Sequence, residues 1–192
     1  MKKIGITGGM GSGKTTACRV FELLGIPVYY SDEESKKILS SDKIVRVELL
    51  QLFGNDILDA DDKIDRKKLA TLVFNNKLAL DQLNAVLHPA VGKHFEKWLL
   101  IQQAPYIIKE AAILFESGAY KQVEKVITVT APLELRIKRI LKRDNTSREE
   151  ILQRIERQMS DEEKIERSDI VLVNDEEVLL IPQILKVHQS LL

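Results

Sequence analysis

Cysteine, proline and aromatic residues are scarce in this chain of 192 residues, and its charges cancel. Cys18 is its one cysteine, so neither an intrachain disulfide nor a cysteine-rich metal site can form. The 29 basic and 29 acidic side chains give a formal net charge of zero, whereas a protein that binds a nucleic acid duplex usually has a basic excess. We therefore expect no nucleic acid partner.

Long hydrophobic runs are also missing. Lys2 and Lys3 are followed by a short apolar run that is unlike the core of a signal peptide, and the run 111–115 is too short to cross a bilayer. Hydrophobic residues still make up 44% of the chain, which is enough for a packed core. We expect a soluble, cytoplasmic protein that binds no membrane, either as a monomer or as a small homo-oligomer.

Short apolar runs alternate with segments of helical spacing along much of the chain. Short buried strands joined by helices are typical of a parallel sheet with crossover helices, so the pattern predicts an α/β fold with about five strands. The predicted strands are 3–7, Val28–Tyr30, Tyr106–Ile108, Val126–Val129 and Ile170–Val173.

The stretch between Asp32 and Gln103 contains only helical patterns. A crossover needs about a dozen residues, and this one is several times longer. An all-helical insertion after the second strand is the simplest explanation, and a decoration without function is the alternative. Its predicted helices are Ile44–Phe53, Arg66–Phe74, Ala79–Leu87 and Val91–Ile101, with Pro89 in the first turn of the last.

The segment Gly8–Thr15 matches the phosphate-binding motif G-x-x-x-x-G-K-[ST] between a strand and a helix. Glycines let the backbone turn its N–H groups toward phosphate oxygens, and the following helix directs its positive end at the same anion. In this motif Lys14 reaches the β- and γ-phosphates, and the Thr15 hydroxyl ligates Mg²⁺. The motif therefore predicts binding of ATP with Mg²⁺. The expected contacts are Gly9, Gly11, Ser12, Gly13, Lys14, Thr15 and Thr16, with Thr15 as the metal ligand.

Asp32 follows the second strand, at the edge of the sheet where open α/β folds bind their ligands. A carboxylate there can take the proton from an attacking hydroxyl, which is the role of a general base in phosphoryl transfer. The other interpretation is a helix N-cap, because Glu33, Glu34 and a helix follow. The two roles can coexist.

Residues 136–167 are dense in basic and acidic side chains. Arginine forks suit phosphate oxygens, and two helices around the polar turn 144–147 have the pattern of a mobile lid over ATP. We expect two or three of the arginines to be functional, with Arg143 the first candidate, and the other charges to form a solvated helix face.

Two isolated residues each have two interpretations. His88 could contact an anionic substrate, or could mark the helix start at Pro89. Glu116 follows the third strand and could point at the phosphate acceptor or cap the next helix.

Taken together, these residues resemble the dephospho-coenzyme A kinase family over nearly the whole chain. The phosphate-binding loop is generic, but the elements 87–89 (Leu-His-Pro) and 113–118 (Ile-Leu-Phe-Glu-Ser-Gly) in this order are distinctive. The other residues that carry the resemblance are Asp32, Arg139, Arg143, Asp144, Arg154, Gln158, Ser168, Asp169, Val171 and Asn174.

The resemblance implies a P-loop NTPase three-layer fold that phosphorylates the ribose 3′-hydroxyl of dephospho-coenzyme A with ATP, the final step of coenzyme A synthesis. It implies a nucleotide-binding core at 1–31, 105–138 and 168–192, a helical substrate-binding domain at 32–104 and a helical lid at 139–167. Asp32 is similar to the family's general base. By the same resemblance Lys14 and Arg143 would stabilise the transferring group, Arg139 and Asn174 would bind ATP, and Lys36, His88 and Glu116 would help Asp32 to bind the substrate.

This chain departs from the family pattern at a few positions. Tyr30 stands where members have the first acid of an Asp-Ala-Asp run, and Lys36 replaces an arginine, so it cannot offer a bidentate fork. Glu110 and Ala112 replace an aspartate and a proline. Two rival functions remain: another metabolite or nucleoside monophosphate kinase on the same scaffold, and a regulatory nucleotide-binding switch.

Overall fold

The structure is a computed structural model, and it describes residues 1–74 and 76–192. These residues form two compact units. The first consists of Met1–Tyr30 with Gln103–Leu192 and contains the sheet, and the second consists of Ser31–Gln102 and is built from helices.

All five predicted strands form, and they make one parallel sheet. The strands are β1 Lys2–Thr7, β2 Val28–Tyr30, β3 Tyr106–Glu110, β4 Lys125–Thr130 and β5 Ile170–Val173, in the order β2-β3-β1-β4-β5. In this register Ile6 of β1 lies opposite Glu110 on β3 and Ile127 on β4. The predicted α/β class is confirmed.

The described helices lie between these strands in the chain and after the last of them. In chain order they are α1 Lys14–Leu23, α2 Ser31–Ser41, α3 Lys43–Phe53, α4 Arg66–Phe74, α5 Lys77–Leu99, α6 Leu133–Arg143, α7 Arg148–Glu156, α8 Asp161–Glu166 and α9 Leu180–Leu191. Within 1–74 and 76–192 none of them combines the length and the apolar character needed to cross a bilayer.

The main core of the first unit lies where α1 and α9 pack on one face of the sheet. Its buried side chains come from alternate positions of the strands, because successive residues of a strand point to opposite faces. Each fully buried aliphatic or phenyl side chain contributes about 1.5–3 kcal/mol relative to exposure. The members are Ile4, Ile6, Ala17, Cys18, Phe21, Ile26, Tyr106, Ile108, Ile127, Val129, Leu172, Ile184, Val187 and Leu191.

Two serines fix where the helices near the predicted lid begin. The Ser147 side chain accepts the backbone N–H of Glu150, and the Glu150 carboxylate in turn accepts the backbone N–H of Ser147. Ser160 and Glu163 make the same pair of hydrogen bonds. These capping boxes start α7 and α8, and a cap of this kind is worth about 1 kcal/mol. The predicted polar turn at 144–147 therefore separates α6 from α7.

The second unit has a core of its own. Asp42 caps α3 by accepting the N–H groups of Ile44 and Val45, which sets the direction of that helix against α5. The buried members of this core are Ile38, Leu39, Val45, Leu49, Ile57, Leu69, Val73, Ala79 and Leu87.

The prediction that Pro89 begins a separate helix is wrong. Pro89 lies inside α5, which runs unbroken from Lys77 to Leu99 and so joins the two predicted segments. A proline inside a helix removes one hydrogen bond and costs about 3 kcal/mol. Tertiary packing outweighs that cost here, because Leu87 and Phe95 are buried on either side of Pro89.

Candidate functional site

The phosphate-binding loop joins β1 to α1. Gly8 and Gly13 adopt positive φ values of 147° and 100°, which side chains rarely tolerate. Gly13 is also the N-cap of α1, and because it has no side chain, no side-chain bond caps the helix. The first N–H groups of α1 therefore remain available to an anion, and the helix dipole favours negative charge at this end.

Lys14 lies at the mouth of this loop. Its Nζ donates to the Gly8 carbonyl at 2.8 Å and approaches the Gly9 carbonyl at 3.4 Å. Thr15 and Thr16 follow in the first turn and are exposed. The loop thus presents an ammonium group and two hydroxyl-bearing residues at one helix start.

Ser12 is fully buried within the loop, and its two oxygen atoms have different surroundings. The Ser12 carbonyl accepts a hydrogen bond from the Asn174 side chain at 2.8 Å. The Ser12 Oγ is buried and has no hydrogen-bond partner among residues 1–74 and 76–192. A buried hydroxyl without a partner is costly, so this position fits a ligand that supplies an acceptor.

Arg139 lies beside the loop that follows β5. Its Nη2 donates to the Asn174 carbonyl at 3.1 Å and to Glu176 at 3.3 Å. Its Nη1 is buried and finds no partner within the described part of the chain. Glu176 has a positive φ of 73°, an uncommon conformation for a non-glycine residue that often marks functional turns. The predicted ATP contacts Arg139 and Asn174 thus lie together, next to the loop.

Negative charge is also present near the first turn of α1. Burial raises the pKa of the Cys18 thiol, the Glu110 carboxylate raises it further, and Lys14 lowers it. Glu110, at the end of β3, and Lys14 therefore both lie within electrostatic reach of Cys18. Tyr30 hydrogen-bonds Glu22, and burial is the largest cause of its raised pKa.

In the second unit, Asp32 and Lys36 lie one turn apart on α2 and are exposed. The helix begins at Ser31, so Asp32 belongs to its first turn, and the interpretation of Asp32 as the N-cap is wrong. An acidic residue in a first turn still interacts favourably with the helix dipole. His88 lies in the middle of α5, and partial burial lowers its pKa.

Each unit contains an open cavity. The one in the second unit, of about 440 Å³, lies between α3 and α5 beside Pro89, with Lys93 and Lys97 on its rim. The one in the first unit, of about 470 Å³, lies at the carboxyl ends of β4 and β5, next to Arg136.

Arg143 ends α6 with its side chain 63% exposed. Its guanidinium makes a bidentate pair with Asp144, with distances of 2.7 Å from Nε and 2.8 Å from Nη2. The same hydrogen bonding lowers the pKa of Asp144. An arginine in this geometry can exchange one carboxylate for a phosphate without a change of hydrogen-bond type.

Glu116 contacts Met159 and Lys164, both in the first unit. It accepts the Met159 N–H at 2.9 Å and faces the fully buried Lys164 at 3.2 Å. Lys164 also donates to the Ala112 carbonyl at 3.3 Å. These contacts connect the loop after β3 to α8, and they favour a structural role for Glu116.

Sequence reasoning missed Arg136, Asp161 and the contact that Gln158 makes. All three contact the phosphate-binding loop or one another, although they lie more than 120 positions from it in the chain. In the sequence Arg136 is one of many charged residues on an amphipathic helix. In the structure its 4% exposure distinguishes it from the other charged residues of that helix. A signal was available in the helical period, since Arg136 falls on the same stripe as the apolar residues Ile137 and Ile140.

No group of three or more His, Cys, Asp or Glu side chains is arranged to hold a metal ion in residues 1–74 and 76–192. The predicted Mg²⁺ site does not need such a cluster. In the motif the protein supplies one hydroxyl ligand, and the phosphate oxygens of the nucleotide supply others. Thr15, exposed at the start of α1, fits that requirement.

A parallel sheet whose central strand runs into a glycine loop and a helix, with the Lys14 Nζ bonded to the loop, defines a P-loop nucleotide-binding fold. Comparison with known proteins narrows the class. The family model described as dephospho-CoA kinase matches residues 2–179. The chain therefore belongs to the dephospho-CoA kinase family.

Individual relatives agree with that assignment. A dephospho-CoA kinase of Bacteroides fragilis is 48% identical over 185 residues, covering 96% of this chain and 90% of the relative. A crystal structure from Thermus thermophilus shares 34% identity with a TM-score of 0.89, covering 98% of this chain and 96% of the other. The dephospho-CoA kinase from Campylobacter jejuni is 32% identical with a TM-score of 0.72, covering 99% and 97%.

More distant similarity concerns the fold alone. A shikimate kinase from Bacteroides thetaiotaomicron is 14% identical with a TM-score of 0.51, covering 99% of this chain and 98% of that one. The P-loop kinase architecture is therefore shared more widely than the family.

Proposed function

We propose that this chain transfers the γ-phosphate of ATP to the ribose 3′-hydroxyl of dephospho-CoA, giving CoA and ADP. The observation that carries the proposal is a complete phosphate-binding loop in a chain that matches the dephospho-CoA kinase family over residues 2–179. The cytoplasmic location and the oligomeric state stay predictions from the sequence.

The phosphate side of the reaction belongs to the first unit. The uncapped N–H groups of α1 and the Lys14 ammonium bind the phosphate oxygens of ATP and stabilise the charge that develops on the γ-phosphoryl group. Thr15 would hold Mg²⁺, and Glu110 is the nearby carboxylate suited to hold its water ligands. Bound Mg²⁺ supplies neutralisation of the β- and γ-phosphate charges.

The base end of ATP is assigned to the loop after β5. Arg139, with a buried Nη1 lacking a partner in the described chain, can donate to an acceptor of the nucleotide. Asn174, in the same turn, supports the phosphate end by holding Ser12 of the phosphate-binding loop in place. Arg143 exchanges Asp144 for the transferring phosphoryl group as the lid helices close.

The acceptor side belongs to the second unit. Asp32 accepts the proton of the 3′-hydroxyl as that oxygen attacks the γ-phosphorus. Lys36, one turn further along α2, supplies positive charge to the substrate, and His88 is a second candidate contact. The cavity beside Pro89 is lined by Lys93 and Lys97, by the acids Asp42 and Glu48 and by apolar side chains, so it offers both polar and apolar contacts to the long arm of dephospho-CoA.

The test is an acceptor panel. Coupled detection of ADP is run with dephospho-CoA, adenosine, AMP and shikimate as acceptors, and the product is identified by mass. The proposal predicts turnover with dephospho-CoA at a kcat/KM at least about a hundredfold above that of the other acceptors. Turnover with a different acceptor alone would overturn it, and nucleotide retention without any transfer would favour the regulatory switch.

A further inference from the structure

Met10, within the phosphate-binding loop, has both its N–H and its carbonyl hydrogen-bonded to side chains that lie more than 120 positions away in the chain. Its N–H donates to the Gln158 Oε1 at 3.2 Å, and its carbonyl accepts from the Arg136 Nε at 2.9 Å. Gln158 lies between α7 and α8, and Arg136 belongs to α6. Side chains that flank the lid helix α7 therefore hold the same residue of the loop from both directions.

Arg136 is almost fully buried, and its charge is balanced. It is 4% exposed, and its Nη1 pairs with the Asp161 carboxylate at the start of α8. Burial of an unpaired guanidinium would be strongly unfavourable, so Asp161 is what makes this position possible. The pair leaves Nε directed at the loop.

The glycines of the loop lie directly against Arg136. A Cβ atom on Gly9 would come within 2.2 Å of the Arg136 Nη2, and one on Gly11 within 2.7 Å of the Arg136 carbonyl. The loop has its present shape because its backbone packs on this arginine. Gly9 and Gly11 are thus needed for this contact as well as for the approach of phosphate.

We infer that Arg136, Gln158 and Asp161 form a clamp that holds the phosphate-binding loop in its nucleotide-binding shape before nucleotide arrives. Arg136 and Gln158 are positioning residues in it, and Asp161 holds Arg136. A glycine-rich loop has many accessible conformations, and fixing it in advance removes an entropic cost from nucleotide binding. Because Gln158 lies in the connection between α7 and α8 and Asp161 begins α8, the clamp also links the lid segment to the loop.

The competing interpretation is that the Arg136–Asp161 pair serves folding alone. The two interpretations differ in what a conservative change does. Arg136→Lys keeps a positive charge opposite Asp161 but loses the Nε donor to Met10. Gln158→Leu removes the other bond while leaving the buried pair intact, so it decides the question even if Arg136→Lys folds poorly.

Two variants serve as controls. Arg148→Lys changes another arginine, which pairs with Glu134 at 2.9 Å from Nη1 at the start of α7. Leu191→Ala removes a buried side chain from the main core beside the start of β1, at the other end of that strand from the loop, and thus reports the effect of lost stability alone.

The first measurement is the Kd of ADP by calorimetry, at a temperature where every variant is folded. Loss of one hydrogen bond to Met10 is expected to raise the Kd about tenfold in Arg136→Lys and by a similar factor in Gln158→Leu. Arg148→Lys and Leu191→Ala should stay within about twofold of the unmodified chain. A Kd that is unchanged in both clamp variants while the melting temperature falls would overturn the inference.

The second measurement is amide hydrogen exchange of residues 8–13. Exchange should be faster in the clamp variants than in the unmodified chain without nucleotide, and equal to it at saturating ADP, because the nucleotide then holds the loop itself. Equal exchange without nucleotide would contradict the clamp. The inference rests on the proposed function only for nucleotide binding, and ADP needs no acceptor, so a wrong acceptor assignment leaves this test intact.

Discussion

The side chain of Asn174 donates to the main-chain carbonyl of Ser12 at 2.8 Å, across 162 positions of sequence. The contact joins the turn after β5 to the middle of the phosphate-binding loop. The Asn174 side chain also packs closely on the neighbouring Gly13, where a Cβ atom would lie 2.1 Å from the Asn174 Nδ2. The shape of the phosphate-binding loop therefore depends on the turn after β5.

Replacing Asn174 by aspartate should weaken the binding of ATP. A carboxylate cannot donate to the Ser12 carbonyl, and its negative charge would lie beside the phosphates, so we expect a Kd at least about tenfold higher. Calorimetry with ATP and with inorganic triphosphate measures this. Asp175→Asn is the control, because Asn keeps the turn bonds to Glu177 and Val178.

The triphosphate separates the two roles open to Asn174. If Asn174 acts through Ser12, affinity for triphosphate falls together with affinity for ATP. If it contacts only the adenine, ATP binding alone weakens, and the support role assigned to Asn174 is wrong.

Replacing Asp32 by asparagine should leave ATP binding intact and remove most phosphoryl transfer. Loss of a general base lowers kcat by about 10²–10⁴-fold. Glu33→Gln, a neighbouring exposed acid on α2, is the matched control and should keep normal turnover. The measurements are the Kd of ATP and the kcat with dephospho-CoA. Near-normal kcat in Asp32→Asn means that another group takes the proton.

Replacing Lys164 by methionine should destabilise the first unit. Lys164 is fully buried, whereas the side chain of its partner Glu116 is 24% exposed. The carboxylate left behind keeps contact with water, so we expect a loss of about 1–3 kcal/mol from the broken hydrogen bonds of Lys164. Urea denaturation measures the loss. Adding Glu116→Gln to the variant should recover part of it, since no unpaired charge is left.

The single change Glu116→Gln separates the two roles considered for that residue. The contacts with Met159 and Lys164 predict lower stability with the KM for dephospho-CoA within about twofold of normal. A KM raised more than about tenfold at unchanged stability would instead establish Glu116 as a substrate contact.

Lys109 should make stability depend on pH in the alkaline range. It lies in β3, 2% exposed, with its Nζ 2.5 Å from the Gln122 Oε1, and burial lowers its pKa from 10.5 to about 8. Between these values the unfolded chain binds the extra proton, so stability rises as the pH increases from 8 to 10.5. Below pH 8 both states are protonated and the full cost of the buried charge remains.

Denaturation at pH 7, 8, 9 and 10 checks this by comparing the unmodified chain with Lys109→Met. We expect the free-energy difference in favour of the variant to shrink by about 1–3 kcal/mol across that range. Parallel pH profiles would show that Lys109 keeps an ordinary pKa.

The strands and the phosphate-binding loop could be predicted because their signals are local. Each strand is a short apolar run, and the loop motif carries its chemistry in eight consecutive residues, Gly8–Thr15. The boundary at Pro89 could not be predicted in this way. A local rule treats proline as a helix start, whereas the packing of the whole of α5 decides that the helix continues.

The supports of the site could not be predicted because they depend on tertiary contacts. Arg136 has the same chemistry as Arg139 and Arg143. Its position on the apolar stripe of α6 is consistent with burial, but the fold is needed to show that it lies beneath the loop. The sequence predicts either an acceptor contact or a helix cap for Glu116, whereas its partner in the structure, the buried Lys164, lies 48 positions away. A charge in a sequence does not indicate its partner.

The central claim is tested most directly by turnover of purified protein with ATP, Mg²⁺ and dephospho-CoA, with the product identified by mass and by the position of its new phosphate. The account predicts CoA, phosphorylated at the ribose 3′-hydroxyl, together with one ADP per CoA formed. Absence of CoA under conditions in which the protein binds ATP, or transfer to AMP or shikimate in place of dephospho-CoA, would contradict it.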